Sequence, residues 1–187
     1  MQDMLLICQQ FCGEFFLHFN PKKSKSLLFG QFRNITVAPL NLNGQQIEYI
    51  NQWDYLGTTI VSGTNFSFSA SGDLRSFFRS ANSVLSVQRK PNELVQMKLL
   101  YSMCVPILSY AAEVKLFKCS DMHSCNVAFN DAIRRIFSFN RWESPRELRQ
   151  QLNLPNLYEI FSSRKTKFEE GCRRSSNGIV AFLMNKL

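Results

Sequence analysis

The sequence contains no apolar run long enough to cross a bilayer. Its longest apolar stretch, residues 99–108, has polar interruptions and is far shorter than the roughly 20 residues that a membrane-spanning helix needs. The opening residues, MQDMLLICQQFC, contain neither a basic segment nor a small-residue cleavage site, so they do not have the pattern of a signal peptide. We therefore expect a chain that is not secreted, has no membrane partner, and is located in the cytoplasm or the nucleus.

The signatures of several catalytic classes are also missing. The only two histidines, His18 and His123, have no recognisable serine or cysteine nucleophile sequence beside them. There is no P-loop and no dinucleotide-binding glycine pattern. Two-metal phosphoryl transfer needs at least two carboxylates around ions about 3.5–4 Å apart, but the acidic residues of the first half are scattered singly. We expect no metal site, no small-molecule cofactor and no phosphoryl transfer by this chain alone.

The six cysteines do not define a zinc site by their spacing. Cys119, His123 and Cys125 are close together, but Cys125 falls on the apolar side of a predicted helix. Cys8 and Cys12 have no second pair of ligands nearby, and structural zinc usually needs two such pairs. In a chain without a secretory signal, we interpret the cysteines as reduced, buried thiols.

The charge is strongly asymmetric along the chain. The composition is that of a globular protein, with 45% hydrophobic and 19% charged residues. Residues 1–70 carry no net charge, so the whole excess of +8 follows them, with 18 basic against 10 acidic residues. A basic segment beside a neutral one suggests a polyanionic partner. Solvated helix faces explain the same charge equally well.

The first third of the chain has the pattern of an α+β unit. Apolar residues recur at helical spacing over residues 4–17, and Pro21 ends that pattern. A short strand follows in SKSLLFG, and Asn43-Gly44 between two apolar runs is the strongest short hairpin signal. WDYLGTTIV predicts one further strand. We therefore predict an α+β domain over residues 1–62.

From about Phe66 the apolar period changes to that of helices. The first predicted helix runs through residues 74–88, and the second from Glu93 to about Phe117 with a kink at Pro106. Capping signals then mark three further helix starts: Ser120, Ser144 with Glu147, and Asn156 with Glu159. Because Glu143 and Glu147 fall at a helix start, we expect them to stabilise that end and not to bind a metal. The prediction is an all-helical, basic domain over residues 63–170 and a tail over residues 171–187.

Three motifs in the first domain together resemble the carboxyl-terminal palm of non-LTR (LINE-type) retrotransposon reverse transcriptases. In FNPKKSKSLLF, the residues Asn20, Lys23 and Ser24 match the family's motif D, and an apolar strand follows. The hairpin ending in IEYI comes next, and WDYLGTTI then resembles motif E, the primer grip. Four residues fill the primer-grip pattern: Trp53, Tyr55, Leu56 and Gly57.

The helical half is similar to the thumb of the same family. VPILSYAAEV, NDAIRRIF and SPRELRQQLNLP are similar to successive thumb segments, so the resemblance covers about residues 1–170. Lys115 departs from the pattern, because an aromatic residue commonly follows the Glu-Val pair, and this leaves the packing at that point open. The resemblance implies a partial right-hand polymerase palm followed by a thumb-like helical bundle.

The resemblance also implies roles for particular residues. Lys23 would act as the acid that protonates the leaving group; the alternative is that Lys22, Lys23 and Lys25 form a solvated basic turn. The primer-grip residues would contact the primer backbone at Gly57, or pack a hairpin face. Other basic residues would contact phosphates, or serve solubility. These predicted contacts are Lys22, Lys25, Arg75, Arg79, Arg89, Lys90, Arg134, Arg135 and Arg141.

The resemblance places the missing chemistry outside this sequence. In that family the catalytic carboxylates lie in two earlier motifs, one of them an aromatic-Ala-Asp-Asp turn, and the sequence contains no such turn. We therefore interpret the chain as a fragment of an RNA-directed DNA polymerase, whose intact parent would bind Mg²⁺ and an RNA or DNA template–primer. The alternatives are a stand-alone, non-catalytic nucleic-acid-binding module, a non-functional retroelement remnant, or a helical domain with a protein partner.

Overall fold

The computed structural model describes residues 1–31, 36–86, 91–115 and 117–184. The described residues form two compact units, Met1–Ser69 and Ala70–Leu187. Among the described residues, the first unit contains one helix and two small sheets, and the second contains only helices. The predicted α+β fold class is therefore confirmed.

One sheet of the first unit is built around the predicted Asn-Gly hairpin. Strand β2 (Leu40–Leu42) pairs antiparallel with β3 (Gln45–Tyr49), and β1 (Lys25–Ser26) pairs parallel with β3 on its other edge. Asn43 and Gly44 both have positive φ, 50° and 75°, which is the backbone of a type I′ turn. The hairpin prediction is confirmed.

The other sheet corrects the prediction of a single strand through WDYLGTTIV. Strand β4 (Gln52–Tyr55) ends at a two-residue turn, and β5 (Thr58–Val61) returns antiparallel beside it. Leu56 and Gly57 have φ of 49° and 75°, so Gly57 is a turn residue and not a strand residue. A third strand, β6 (Ser67–Ser69), pairs with β5 in the stretch where the helical period was predicted to begin.

Helix α1 (Gln2–Glu14) lies where a helix was predicted, but none of its residues is buried. Met4 and Phe11 of α1 and Phe15 at its C-cap, which belong to the helical apolar pattern, are each about 60% exposed (62%, 59% and 59%). In this unit, Leu42 and Ile47 are the buried apolar residues of the β2–β3 hairpin. The apolar face of α1 is therefore uncovered, because the helix contacts the hairpin through Gln2 and Gln9, which lie on another face.

The core of the second unit is formed by residues from several helices. Helix α2 (Ser71–Leu85) packs against α5 (Cys119–Ile136) and against the helices that lie between them in the chain. Phe77, Ala81 and Val84 of α2 lie at helical spacing and are buried, but Phe78, which belongs to the same apolar pattern, is 41% exposed and does not belong to the core. The largest fully buried side chains are Phe77, Phe129, Met97, Leu100, Leu108, Ile133 and Leu157.

The second predicted helix is shorter and less regular than expected. It consists of α3 (Glu93–Leu99), a π-helical segment (Leu100–Cys104) and α4 (Val105–Leu108). Pro106 has no N–H to donate to the carbonyl one turn earlier, and the wider π-helical turn lies immediately before it, with the Val105 N–H donating to the Leu100 carbonyl. The helix ends long before the expected residue, and Ala111 with φ of 54° lies in the turns that follow.

The remaining helices are α6 (Arg146–Gln151), α7 (Leu157–Arg173) and α8 (Gly178–Met184). The Asn156–Glu159 capping box of α7 is confirmed, because each of the two side chains accepts a hydrogen bond from the backbone N–H of the other residue. The capping box at Ser144 is wrong, because Pro145 occupies the N-cap position of α6, although Ser144 Oγ accepts from the Arg146 N–H at 3.3 Å. Ser120 does not cap α5 either, since α5 begins one residue earlier, after Lys118.

All six cysteines are free thiols, but they are not all buried as predicted. Cys104 and Cys125 lie in the core of the second unit, whereas Cys8 and Cys119 are exposed. Cys8 is exposed because it lies on the uncovered face of α1, and Cys119 because it is the first residue of α5. Within the described ranges, no helix is both long and apolar enough to span a membrane.

Candidate nucleic-acid interface

The β4–β5 hairpin carries the four residues that match the primer-grip pattern. Thr58 Oγ1 donates to the Tyr55 carbonyl at 2.9 Å, and Thr59 Oγ1 donates to Asp54 Oδ1 at 2.5 Å. Both hydrogen bonds link β5 to β4 beside the turn. At the tip, Tyr55 is 57% exposed and Leu56 is 74% exposed. The hairpin therefore presents an aromatic and an aliphatic side chain on a well-braced turn.

The turn that matches motif D is organised by Asn20. The Asn20 side-chain oxygen accepts from the Lys22 N–H at 3.0 Å, and its carbonyl accepts from the N–H and the hydroxyl of Ser24 at 3.1 and 2.9 Å. Lys22 and Lys23 are exposed on this turn. The asparagine and the serine thus have a local structural role, which is to fold the basic turn that precedes β1.

Lys25 lies beside Trp53, one of the four predicted primer-grip residues. The Lys25 ammonium is 2.5 Å from Glu48 Oε2, and it lies 5.9 Å from the centre of the Trp53 ring. The structure thus brings one predicted basic residue next to one predicted grip residue. Because Glu48 offsets its charge, Lys25 is less suited to phosphate binding than the two lysines before it.

In the second unit, Arg75 and Arg79 lie one turn apart on α2, and both are exposed. Neither takes part in any ion pair formed among the described residues. Asn82 lies on the same face of α2 as Arg75 and Arg79. Arg135 of α5 belongs to this surface too, because its Nη1 donates to Asn82 Oδ1 at 2.8 Å. We call Arg75, Arg79 and Arg135 the arginine stripe.

The other predicted phosphate contacts are not part of this stripe. Arg134 is half-buried and donates through Nε to the Glu143 carbonyl at 2.8 Å, so it braces the loop after α5. Arg141 is exposed on that loop. Glu143 accepts from the backbone and side-chain amides of Asn140 at 3.1 and 2.7 Å, which is a loop contact and not the helix-start role we predicted. Arg89 and Lys90 lie outside the described residues.

A buried ion pair in the second unit was not predicted. Lys115 Nζ is 2.7 Å from Asp73 Oδ2, and the two side chains are only 1% and 13% exposed. The Lys115 ammonium also lies 5.5 Å from the ring centres of Tyr110 and Phe117. Burial raises the pKa of the Asp73 carboxyl, although the hydrogen bond and charge of Lys115 oppose that rise. The lysine that departs from the family pattern is therefore the partner of a buried acid.

An apolar groove of about 560 Å³ lies between α3 and the segment before α7. Its lining includes Leu94, Met97, Leu152 and Leu154. The Tyr101 hydroxyl donates to the Pro155 carbonyl at 2.7 Å, and burial raises the pKa of this phenol to about 12. The hydroxyl therefore joins the two sides of the groove as a neutral donor and is not available as a catalytic base.

No group of three or more histidine, cysteine, aspartate or glutamate side chains is placed to hold a metal ion in the part of the chain that the structure describes. Cys125, one of the three residues considered as zinc ligands, lies in the core and is 1% exposed. Burial is the largest cause that raises the pKa of its thiol to about 11. A thiol of that kind is protonated at neutral pH and is a poor ligand. Cys119 lies apart from it, on the surface.

No protein-family model matches this chain, and neither a curated protein nor a solved structure is significantly similar to it. What the chain binds must therefore be inferred from its own surfaces.

Proposed function

We propose that this chain is a palm and thumb fragment of an RNA-directed DNA polymerase of the non-LTR retrotransposon type, and that its second unit binds the phosphates of a template–primer. The observation that carries the proposal is the arginine stripe of Arg75, Arg79 and Arg135. In the intact parent, other segments would supply the catalytic carboxylates and Mg²⁺. Lys23 would serve there as the acid for the leaving group.

The stripe suits a phosphate backbone for three reasons. Guanidinium groups form bidentate, charge-assisted hydrogen bonds to phosphate oxygens. Arg75 and Arg79 are separated by about 6 Å along the α2 axis, so they can reach different oxygens of one strand. Arg135 is oriented by the neutral amide of Asn82, which fixes its direction without removing its charge. Contacts of this kind position a nucleic acid and do not read its sequence.

The β4–β5 hairpin supports the primer-grip part of the proposal. Trp53 is half-buried and lies beside Lys25, which favours a packing role for this residue. Tyr55 and Leu56 instead extend from the tip, where they can lie against a sugar or a base. The same motif thus contains one packing residue and two residues that are accessible to a ligand.

Replacing both Arg75 and Arg79 by alanine should weaken binding to a primer–template by about tenfold or more at low salt. The plot of log affinity against log salt should become shallower by about 2, because two phosphate contacts are lost. Both side chains are exposed, so the thermal unfolding temperature should hardly change. The measurement is a filter-binding titration of the whole chain at several salt concentrations.

A matched control removes the same charge elsewhere. Lys167 and Arg173 are exposed on α7, and their double alanine variant should bind within about twofold of the parent chain. If the control variant loses as much affinity and slope as Arg75→Ala/Arg79→Ala, binding reflects net charge alone and the stripe has no special role. Absence of salt-sensitive binding by the parent chain would leave only a remnant or a protein-binding domain.

Tyr55→Ala distinguishes the polymerase fragment from a stand-alone binding module. If the hairpin contacts the primer, the loss of one aromatic contact should weaken binding by about tenfold. Tyr158 on α7 is comparably exposed, at 46%, and Tyr158→Ala should leave binding unchanged. Equal affinities of the Tyr55 variant and the parent chain would favour a module that binds only through its second unit.

A further inference from the structure

Helix α1 contacts the rest of its unit through glutamine side chains. Gln2 exchanges two hydrogen bonds with the backbone of Asn41, at 2.9 and 2.8 Å, and Gln9 Nε2 donates to Asn43 Oδ1 at 2.7 Å. At 100° per residue, Gln2 and Gln9 lie on one face together with Leu5. This polar face is the one that α1 turns toward the β2–β3 hairpin.

A different face of α1, continued by Phe15 at its C-cap, is apolar and uncovered. Its four residues, at successive spacings of four, three and four, are Met4, Cys8, Phe11 and Phe15. Met4, Phe11 and Phe15 are 62%, 59% and 59% exposed, and Cys8 is exposed as well. The rings of Phe11 and Phe15 lie 5.0 Å apart and contact each other. We call these four residues the apolar seam.

We propose that the apolar seam pairs with the same seam of a second copy of this chain, so that two α1 helices form the interface of a homodimer. Two apolar positions per seven residues give a stripe about as wide as one other helix can cover. A seam that pairs with itself is also the arrangement that a two-fold symmetric dimer requires.

The positions beside the seam do not oppose self-pairing. In heptad order they are Leu5, Ile7, Cys12 and Glu14, so only one of the four is charged. Like charges at these positions are the usual means by which a sequence excludes a given pairing. The flanks of α1 therefore contain no row of like charges that would repel a second copy.

The size of the seam sets the expected strength of the dimer. An aromatic side chain offers on the order of 200 Å², so the seam and Ile7 present roughly 500 Å² of apolar surface per copy. Two copies would bury on the order of 1,000 Å², which is near the lower limit for a specific interface. We expect a dissociation constant on the order of micromolar.

Sedimentation of the whole chain tests the proposal. The parent chain should change from monomer to dimer as its concentration rises from about 1 to about 200 μM. Phe11→Glu places a charge in the seam and should weaken the dimer at least tenfold, without a change in the circular dichroism spectrum, because Phe11 is 59% exposed. Leu6→Glu is the matched control, since Leu6 is 54% exposed on another face of α1 and should leave the dimer intact.

A cross-linking experiment tests the position of the contact. Cys8 lies near the middle of the seam, so the two Cys8 thiols should be close in either helix orientation. The other accessible or half-buried thiols are first replaced: Cys12→Ser, Cys119→Ser and Cys172→Ser. A short bismaleimide should then link two chains through Cys8, and it should not do so once Phe11→Glu is added.

Three results would overturn the proposal. They are a monomer at the highest concentration, a polydisperse aggregate in place of a dimer, and a dimer that survives Phe11→Glu. Each of these would mean that the seam is covered by something other than its own copy, or by nothing. None of them depends on nucleic-acid binding, so the failure of this proposal would be distinct from a failure of the proposed function.

Discussion

Lys115→Met is expected to destabilise the helical unit by about 3–5 kcal/mol. The substitution keeps an unbranched side chain of similar length, so most of the packing with Tyr110 and Phe117 is retained. What it removes is the ammonium group that lies 2.7 Å from Asp73. The Asp73 carboxylate would then be buried without a partner, and the cost of such a charge is several times that of a lost surface ion pair.

The pH dependence of this effect identifies its cause. Burial raises the pKa of Asp73 above its usual 3.8, and Lys115 is the group that opposes the rise. A raised pKa means that the folded state binds the proton more tightly than the unfolded chain, so this group contributes most to stability at low pH. Its contribution is lost as the pH increases through the folded pKa. Without Lys115 the pKa should rise further, and the destabilisation should be largest at neutral pH and smaller near pH 4.5.

The measurement is urea unfolding of the parent and variant chains at both pH values. Lys167→Met is the control, because that lysine is exposed on α7 and should change the free energy of unfolding by less than about 0.5 kcal/mol. Adding Asp73→Asn to Lys115→Met should recover a large part of the lost stability, since the unpaired charge is gone. An equal loss at both pH values would show that Lys115 acts through packing and not through its charge.

Local signals account for what could be predicted of the fold. Asn43-Gly44 specified its hairpin because asparagine and glycine both accept the positive φ that the turn needs. Leu56-Gly57 forms the same kind of turn, but leucine seldom adopts a φ of 49°, so the motif was interpreted as a continuous strand. The helix through Pro106 was predicted too long because periodicity does not show where a helix ends.

Long-range contacts account for what could not be predicted of the candidate site. The helical period was sufficient to place Arg75 and Arg79 on one face of α2. It could not bring Arg135 to Asn82, which is 53 residues away, or Lys115 to Asp73, which is 42 residues away. The face by which α1 contacts its hairpin was likewise missed, because it depends on glutamine bonds to a distant strand and not on an apolar stripe.

Phe129→Ala should destabilise the same unit by about 3–5 kcal/mol, through a cavity and not through a charge. Phe129 is completely buried on α5, and its ring contacts Tyr101 edge-on at 5.6 Å. The guanidinium of Arg149 lies 5.9 Å from the same ring, and its Nη1 donates to Oδ1 of Asn130 at 3.0 Å. Truncation would therefore remove contacts that join α5 to the π-helical segment and to α6.

The control for this substitution is Phe78→Ala, because Phe78 is 41% exposed on α2 and should lose less than about 1.5 kcal/mol. Since typical domains are stable by only about 5–15 kcal/mol, Phe129→Ala should leave a measurable unfolded fraction on warming. Nucleic-acid binding should then fall together with the helical signal, because α2 and α5 carry the arginine stripe. In Arg75→Ala/Arg79→Ala the helical signal should stay while binding falls. A loss below about 1.5 kcal/mol for Phe129→Ala would mean that the core can collapse around the missing ring, and that α5 is not the rigid support that the stripe requires.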